Sequence, residues 1–290
     1  MKAPKFSYVR ADSVAQAVAL LAEHGEEARI LAGGQSLMPT LNMRLSQPRL
    51  LIDINRLDAL AGISLEGDRV RIGALTRHAE VARSAIVAEH LPLIAEAMPH
   101  VAHVAVRNRG TFGGSIALAD PAAEMPACVL ALGATLVLES AAGRREVAAD
   151  DYFHGLYDTA RRPDELLVEA LIPVQPPSSV TVFMELARRH GDFAIAGVAF
   201  SVSVNGATAT DARLVYFGSE DKPTLAHGAR AAITGRPMDA TTAEAAAAAL
   251  DSDLSPMTNP QGSTRMRLHL QRVLTRRALE VAAKRARVAA

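Results

Sequence analysis

The chain has 290 residues, 49% of them apolar, with 31 basic side chains against 31 acidic ones. That balance excludes a disordered chain and argues against one that binds nucleic acid along its whole length. A single cysteine, Cys128, excludes an internal disulfide and any cysteine-ligated zinc or iron–sulfur centre built by this chain alone.

The opening residues, Met1 to Phe6, hold no apolar core of signal-peptide length, and no apolar run is long enough to span a bilayer. A cytoplasmic protein is therefore expected. Residues 6–10 read as a first strand. Asp12-Ser13 opens a helix, with Gln16 at the capping-box position and Val14, Ala17, Val18 and Leu21 at helical spacing until Gly25 ends it. Residues 29–32 make the next strand. Ala32-Gly33-Gly34-Gln35-Ser36-Leu37 then turns into a helix over 37–45, with Ser36 as its cap and Pro39 in its first turn. Residues 50–54 are a third strand. Strands alternating with helices predict a small parallel sheet, and this first unit closes near Asn55, spanning 1–55.

From Ile63 the pattern changes. Residues 63–66 and 69–74 flank Gly67-Asp68 as a hairpin; Thr76 caps a helix to residue 82; a further helix covers 91–98. Residues 134–139 and 165–172 read as strands, and Pro173 ends this mixed α+β unit of 56–173. Gln175-Pro176-Pro177-Ser178-Ser179 is a linker. Beyond it, in a unit of 178–290, residues 180–186, 193–204 and 207–217 form three antiparallel strands, the last two joined at Asn205-Gly206. Helices follow over 243–250 and at the end of the chain. There Leu270, Val273, Leu274, Ala278 and Val281 make an apolar face opposite Arg272, Arg276, Arg277, Lys284 and Arg285, which read as a solvated face.

Two stretches carry chemistry. Glycines after a strand are often only a turn, but Gly33-Gly34 is followed by a hydroxyl and a helix start, where unpaired amides welcome an anion. A second pair, Gly113-Gly114, lies between Thr111 and Ser115, and Asp120-Pro121 then reads as a helix start with aspartate as its cap. Two glycine turns facing each other would offer a ring of amides and hydroxyls suited to a pyrophosphate, with Asp120 accepting from a ribose or ribityl hydroxyl. Neither stretch is a GxGxxG fingerprint, and neither has the lysine of a P-loop.

Ala32-Gly33-Gly34-Gln35-Ser36-Leu37, Thr111-Phe112-Gly113-Gly114-Ser115 and Ala119-Asp120-Pro121-Ala122-Ala123-Glu124 resemble the FAD-binding medium subunit of molybdenum hydroxylases, the family of the flavoprotein subunits of carbon monoxide dehydrogenase and xanthine dehydrogenase. Ala187-Arg188-Arg189-His190-Gly191-Asp192-Phe193-Ala194 is a third matching run, so the resemblance covers essentially the whole chain. It implies an α+β fold: a two-part FAD-binding domain of vanillyl-alcohol-oxidase (PCMH) type plus a C-terminal three-stranded antiparallel sheet with helices. It further implies that Leu31, Ala32, Gly33, Gly34, Gln35, Ser36 and Leu37, with Thr111, Gly113, Gly114, Ser115 and Ala119, bind FAD. Asp120 would hold a hydroxyl, Leu167 would touch the nucleotide or flavin end, and Phe193 would lie near the isoalloxazine, where relatives often have Tyr or Trp. Ser115 stands where many relatives have Asn and Gln35 where some have His, and no covalent flavin link is expected.

By the same resemblance, a small subunit with two [2Fe-2S] clusters and a large subunit with the molybdopterin cofactor are the partners, in a dimer of heterotrimers. The division suits a chain with one cysteine. No residue of this chain is then required as a catalytic acid or base. Two other readings remain at this point: a self-contained FAD-dependent oxidoreductase of the vanillyl-alcohol-oxidase fold, and a non-catalytic nucleotide-binding module. His100 and His103 read as loop support, with no third ligand in view for a metal. Cys128 reads as a buried, inert thiol. Arg107 and Arg109 are open between phosphate-loop support and surface charge.

Overall fold

The structure is a computed structural model and describes residues 2–289. Its first part is a parallel sheet of β1 (Ser7–Arg10), β2 (Ala28–Leu31) and β3 (Leu50–Asp53), in the order β1-β3-β2. Helix α1 (Val14–His24) crosses from β1 to β2, and α2 (Leu37–Asn42) from β2 to β3. Ser13 caps α1 by accepting the Gln16 amide at 3.1 Å, while the Gln16 side chain accepts from the amide of Asp12, one residue before the box position. Ala17, Val18 and Leu21 are the buried face of α1, as the spacing requires. α2 stops at Asn42, short of residue 45, where Arg44 takes a positive φ of 59°.

The second part is an antiparallel sheet ordered β4 (Ile63–Glu66), β5 (Arg69–Gly73), β10 (Leu166–Pro173), β6 (Thr135–Ser140) and β7 (Gly143–Ala148). Between β5 and β6 run the short helices α3 (His78–Val81), α4 (Ala85–His90), α5 (Pro92–Ala97), α6 (Val104–Arg107), α7 (Phe112–Leu118) and α8 (Glu124–Ala131). A two-stranded ribbon of β8 (Phe153–Gly155) and β9 (Asp158–Thr159) leads into β10. Thr76 is not the cap of α3. Its hydroxyl exchanges hydrogen bonds of 3.0 Å with the amide and carbonyl of Gly62, and α3 begins at His78.

The C-terminal part is a sheet of β11 (Ser179–Leu186), β12 (Ala196–Asn205) and β13 (Thr208–Phe217), with a fourth, two-residue strand β14 (Thr224–Leu225) beyond the three expected. Helices α9 (His227–Ile233), α10 (Ala240–Asp253) and α11 (Thr264–Ala289) cover one face.

Two apolar cores join these parts, and a third lies within the C-terminal one. One core combines Val18 and Leu21 of α1 and Ile52 of β3 with Val137, Leu166 and Val168 of the second sheet. A second combines helices α4, α5, α7 and α8 with Phe183, Ala199, Val215 and Phe217 from the C-terminal sheet. The opposite face of that sheet, with Val198, Phe200, Leu214 and Tyr216, packs on α9–α11. Both faces are buried, which is why β12 reads as an almost unbroken apolar run. Of the five basic residues expected to be a solvated face of α11, four are engaged within the chain, Arg272 with Asp251, Arg276 with Glu244, Lys284 with Glu280 and Arg285 with Glu96 of α5, and Arg277 is exposed. No described helix is long and apolar enough to cross a membrane.

Candidate functional site

The first glycine segment leaves β2 at Leu31. Its backbone is turned by Asn55, whose side-chain amide donates to the carbonyls of Leu31 (3.2 Å) and Ala32 (2.8 Å). Gly34 sits at φ +71°, a left-handed conformation that a side chain opposes. The Gln35 side chain donates to the carbonyl of Gly33 at 3.1 Å. Among the described residues, the amides of Gly33, Gly34, Gln35 and Ser36 meet no protein acceptor. Ser36 makes no side-chain cap, contrary to the sequence reading, and is exposed.

The second segment is built differently from the expected open turn. Gly113 and Gly114 lie in the first turn of α7, and their amides are already used: Gly113 donates to the carbonyl of Ala74 at 2.9 Å and Gly114 to the Thr111 hydroxyl at 3.2 Å. The amides of Phe112 and Ser115 go to the carbonyls of Thr76 and Thr111. Gly113 is required by packing, because a Cβ there would lie 2.4 Å from that of Ala74. Gly114 is exposed, and its bare Cα and the Ser115 hydroxyl are what this segment offers a ligand. The ring of amides expected from both turns thus comes from the first alone.

Asp120-Pro121 does not start a helix. Asp120 accepts the Ala122 amide at 2.9 Å in a turn that follows Ala119, which ends α7 at φ 55°, and α8 begins at Glu124. The second carboxylate oxygen of Asp120 accepts from Tyr157 at 3.2 Å.

The two segments abut. A Cβ on Gly33 would lie 2.4 Å from the carbonyl oxygen of Arg109 and 2.8 Å from the Cα of Gly110. A cleft of about 530 Å³ opens beside this contact, lined by the first segment, Met38, Asp53, Asn55 and Arg109. Arg77 closes the junction, donating to Asn55 Oδ1 at 2.8 Å and to the Arg109 carbonyl. Arg109 is therefore a cleft residue, whereas Arg107 is loop support, donating to the carbonyls of Val101 and Ala102. His103 is exposed, ahead of α6. Leu167 faces the main core from β10 and is buried. Phe193 is 56% exposed on the loop between β11 and β12. That loop stands close to the Asp120 turn, because the amide of Gly218 donates to the Pro121 carbonyl at 2.8 Å while Gly218 packs on Ala194.

The charges around the junction are set by these contacts. Burial pushes the Asp53 carboxyl up, but hydrogen bonds from Tyr8 (2.5 Å) and Asn55 outweigh it and hold it below the ordinary range. Burial, with the nearby Arg107 cation, drives His78 down to about 4, so a neutral imidazole packs under Gly110. Cys128 is buried, and burial pushes its thiol well up, which makes it inert.

Asp53, Asn55 and Arg77 were not read from the sequence as site residues. Asp53-x-Asn55 at the end of a strand was the available signal, because such residues bond neighbouring backbone and organise turns. Nothing local marks Arg77.

A row of unpartnered amides and a hydroxyl beside a bare glycine can donate to a diphosphate, and the carboxylate on the next turn can accept from a sugar hydroxyl; these residues fit FAD, and of them the first segment lines the cleft. Fold and site together define a two-part flavin-binding protein. The description "FAD binding domain in molybdopterin dehydrogenase" matches residues 4–175, and "CO dehydrogenase flavoprotein C-terminal domain" matches 181–282. The chain belongs to this family of molybdopterin dehydrogenase flavoproteins. It is 40% identical to the 6-hydroxypseudooxynicotine dehydrogenase complex subunit alpha of Paenarthrobacter nicotinovorans, over 99% of this chain and 97% of that one. It is 38% identical to the glyceraldehyde dehydrogenase medium chain of Sulfolobus acidocaldarius, over 97% and 99%. Among solved structures, a chain of the carbon monoxide dehydrogenase of Hydrogenophaga pseudoflava, described as lacking the Mo-pyranopterin moiety of its molybdenum cofactor, superposes with a TM-score of 0.96 at 38% identity, covering 98% of this chain and 99% of that one.

Proposed function

We propose that this chain is the FAD-binding electron-transfer subunit of a molybdenum hydroxylase. It receives electrons from the [2Fe-2S] clusters of a small partner and passes them to an external acceptor, while a large molybdenum subunit oxidises the organic substrate. The assembly is a dimer of heterotrimers in the cytoplasm, without membrane or nucleic-acid contact. The chain divides into two flavin-binding parts, 1–55 and 56–173, and a C-terminal domain, 178–290.

The observation that carries this reading is the pairing of a flavin donor set with a single buried cysteine. The chain has the parts to hold FAD and lacks the thiolates to hold the clusters. FAD, when bound, supplies the exchange between two-electron and one-electron carriers. The chain's own groups would bind and orient it: the Gly33–Ser36 amides and Ser115 at the diphosphate, Ala32 and Leu37 beside it, Asp120 at a hydroxyl, Leu167 at the nucleotide or flavin end and Phe193 near the isoalloxazine.

The test is anaerobic reduction of the bound flavin by a panel of aldehydes and N-heteroaromatic compounds. In the assembled complex the flavin bleaches; in the isolated chain it bleaches with dithionite but with none of the panel. Bleaching of the isolated chain by an organic substrate would instead establish a self-contained oxidoreductase.

A further inference from the structure

We infer that Asn55 and Arg77 are positioning residues that together aim the first glycine segment at the flavin diphosphate. The inference rests on the flavoprotein reading.

A planar peptide sends its carbonyl and the next residue's N–H in opposite directions. Asn55 Nδ2 holds the Ala32 carbonyl at 2.8 Å, so the Gly33 amide of the same peptide points the other way. It also reaches the Leu31 carbonyl, which the Ile54 amide holds as well at 3.1 Å. Asn55 is thus the reason that the row of amides starting at Gly33 is turned away from the sheet.

Asn55 is fixed from both sides. Asp53 Oδ1 accepts from its amide at 2.8 Å and from its side chain at 2.7 Å, and Tyr8 holds the other Asp53 oxygen. On the opposite side Arg77 donates to Asn55 Oδ1 with one guanidinium nitrogen and to the Arg109 carbonyl with another. That Arg109 carbonyl is the atom a Gly33 Cβ would strike. One planar guanidinium therefore ties the residue that turns the first segment to the backbone of the second, at their point of contact. A lysine has a single nitrogen on a flexible stem and cannot hold both acceptors in that plane.

The experiment measures FAD affinity of the full-length, flavin-stripped chain by quenching of flavin fluorescence, for the wild type, Arg77→Ala, Arg77→Lys and Asn55→Leu. Each variant is expected to bind FAD about tenfold or more weakly, the scale of one lost charge-assisted hydrogen bond. Guanidinium ion at millimolar concentration should restore the affinity of Arg77→Ala and leave Arg77→Lys unchanged, with sodium chloride at equal ionic strength as the control. Arg77→Lys keeps the charge and stem, so the comparison stands if the alanine variant fails to fold. Wild-type affinity in Arg77→Lys and Asn55→Leu, or no recovery with guanidinium in a folded Arg77→Ala, would overturn the inference. A wild-type chain that takes up no FAD would overturn the flavoprotein reading itself, and this inference with it.

Discussion

His100 and Glu185 meet across the seam between the helices of the second part and the C-terminal sheet, with 3.3 Å between Nδ1 and Oε1. The Glu185 side chain is 3% exposed, and its other oxygen has no partner. The His100 ring also lies against Phe183 and His190, at centroid distances of 5.2 and 5.9 Å. Glu124, at the start of α8, is buried in the same place and faces both Glu185 and Asp120.

This cluster makes stability fall as pH rises. The hydrogen bond to Glu185 raises His100 above its ordinary value, and burial raises Glu124 from 4.5 to about 7. A raised folded-state value means that the folded chain binds the proton more tightly. The stabilisation is complete below the unfolded value and lost as pH climbs through the folded one. For Glu124 the decline falls between pH 4.5 and about 7 and amounts to on the order of 3 kcal/mol; His100 extends it upward from 6.5. Melting temperature measured across that range should drop in the wild type and flatten in Glu124→Gln. An identical slope in that variant would remove Glu124 from the effect.

Gly33→Ala should cost both stability and flavin. The new Cβ meets backbone on both contacts, at 2.4 and 2.8 Å, so no side chain can move aside to accept it. Parting the two segments should cost about 1–3 kcal/mol, typical of an overpacked contact. The purified variant should show little visible flavin absorbance; full absorbance would show that the two segments need not touch.

Asp120→Asn tests the hydroxyl acceptor without dismantling the turn. The amide oxygen can still accept from Ala122, and the amide nitrogen, in place of the second oxygen, can donate to the Tyr157 hydroxyl, whereas the charge is lost. FAD affinity should fall by about 1–3 kcal/mol with little change in melting temperature. Unchanged affinity would take Asp120 out of the site.

Arg267→Met probes how the C-terminal part is held beside the flavin-binding parts. Arg267 is 1% exposed, donates to the Gly218 carbonyl and to Asn259, and faces Glu220. Gly218 in turn bonds Pro121. Loss of the buried guanidinium should destabilise the chain by about 1–3 kcal/mol in denaturant unfolding, because the Gly218 carbonyl and Asn259 lose their donor. A loss below about 1 kcal/mol would show that water replaces it.

Much of this was legible in the sequence because the signals were local. The α1 cap, the hairpin at Gly67-Asp68 and the hairpin at Asn205-Gly206 depend on residues within a few positions of one another, and all three formed. Two misreadings arose where a partner came from far along the chain. Thr76 looks like a cap until Gly62 takes its hydroxyl, and the Gly113 amide looks free until Ala74 takes it. β7 was missed because it is an edge strand whose Arg144, Arg145 and Glu146 face outward or pair with acids, leaving only Val147 to signal burial. Arg77 could not be singled out, since its role depends on Asn55 and Arg109, 22 and 32 positions away.

The most direct test of the account is competition at the flavin-stripped full-length chain between FAD, riboflavin and ADP. If the first glycine segment and the Gly114–Ser115 surface hold a diphosphate, FAD should bind at least about a hundredfold more tightly than riboflavin, a difference of about 2.7 kcal/mol, and ADP should displace FAD. Equal affinity for FAD and riboflavin, with no displacement by ADP, would contradict it.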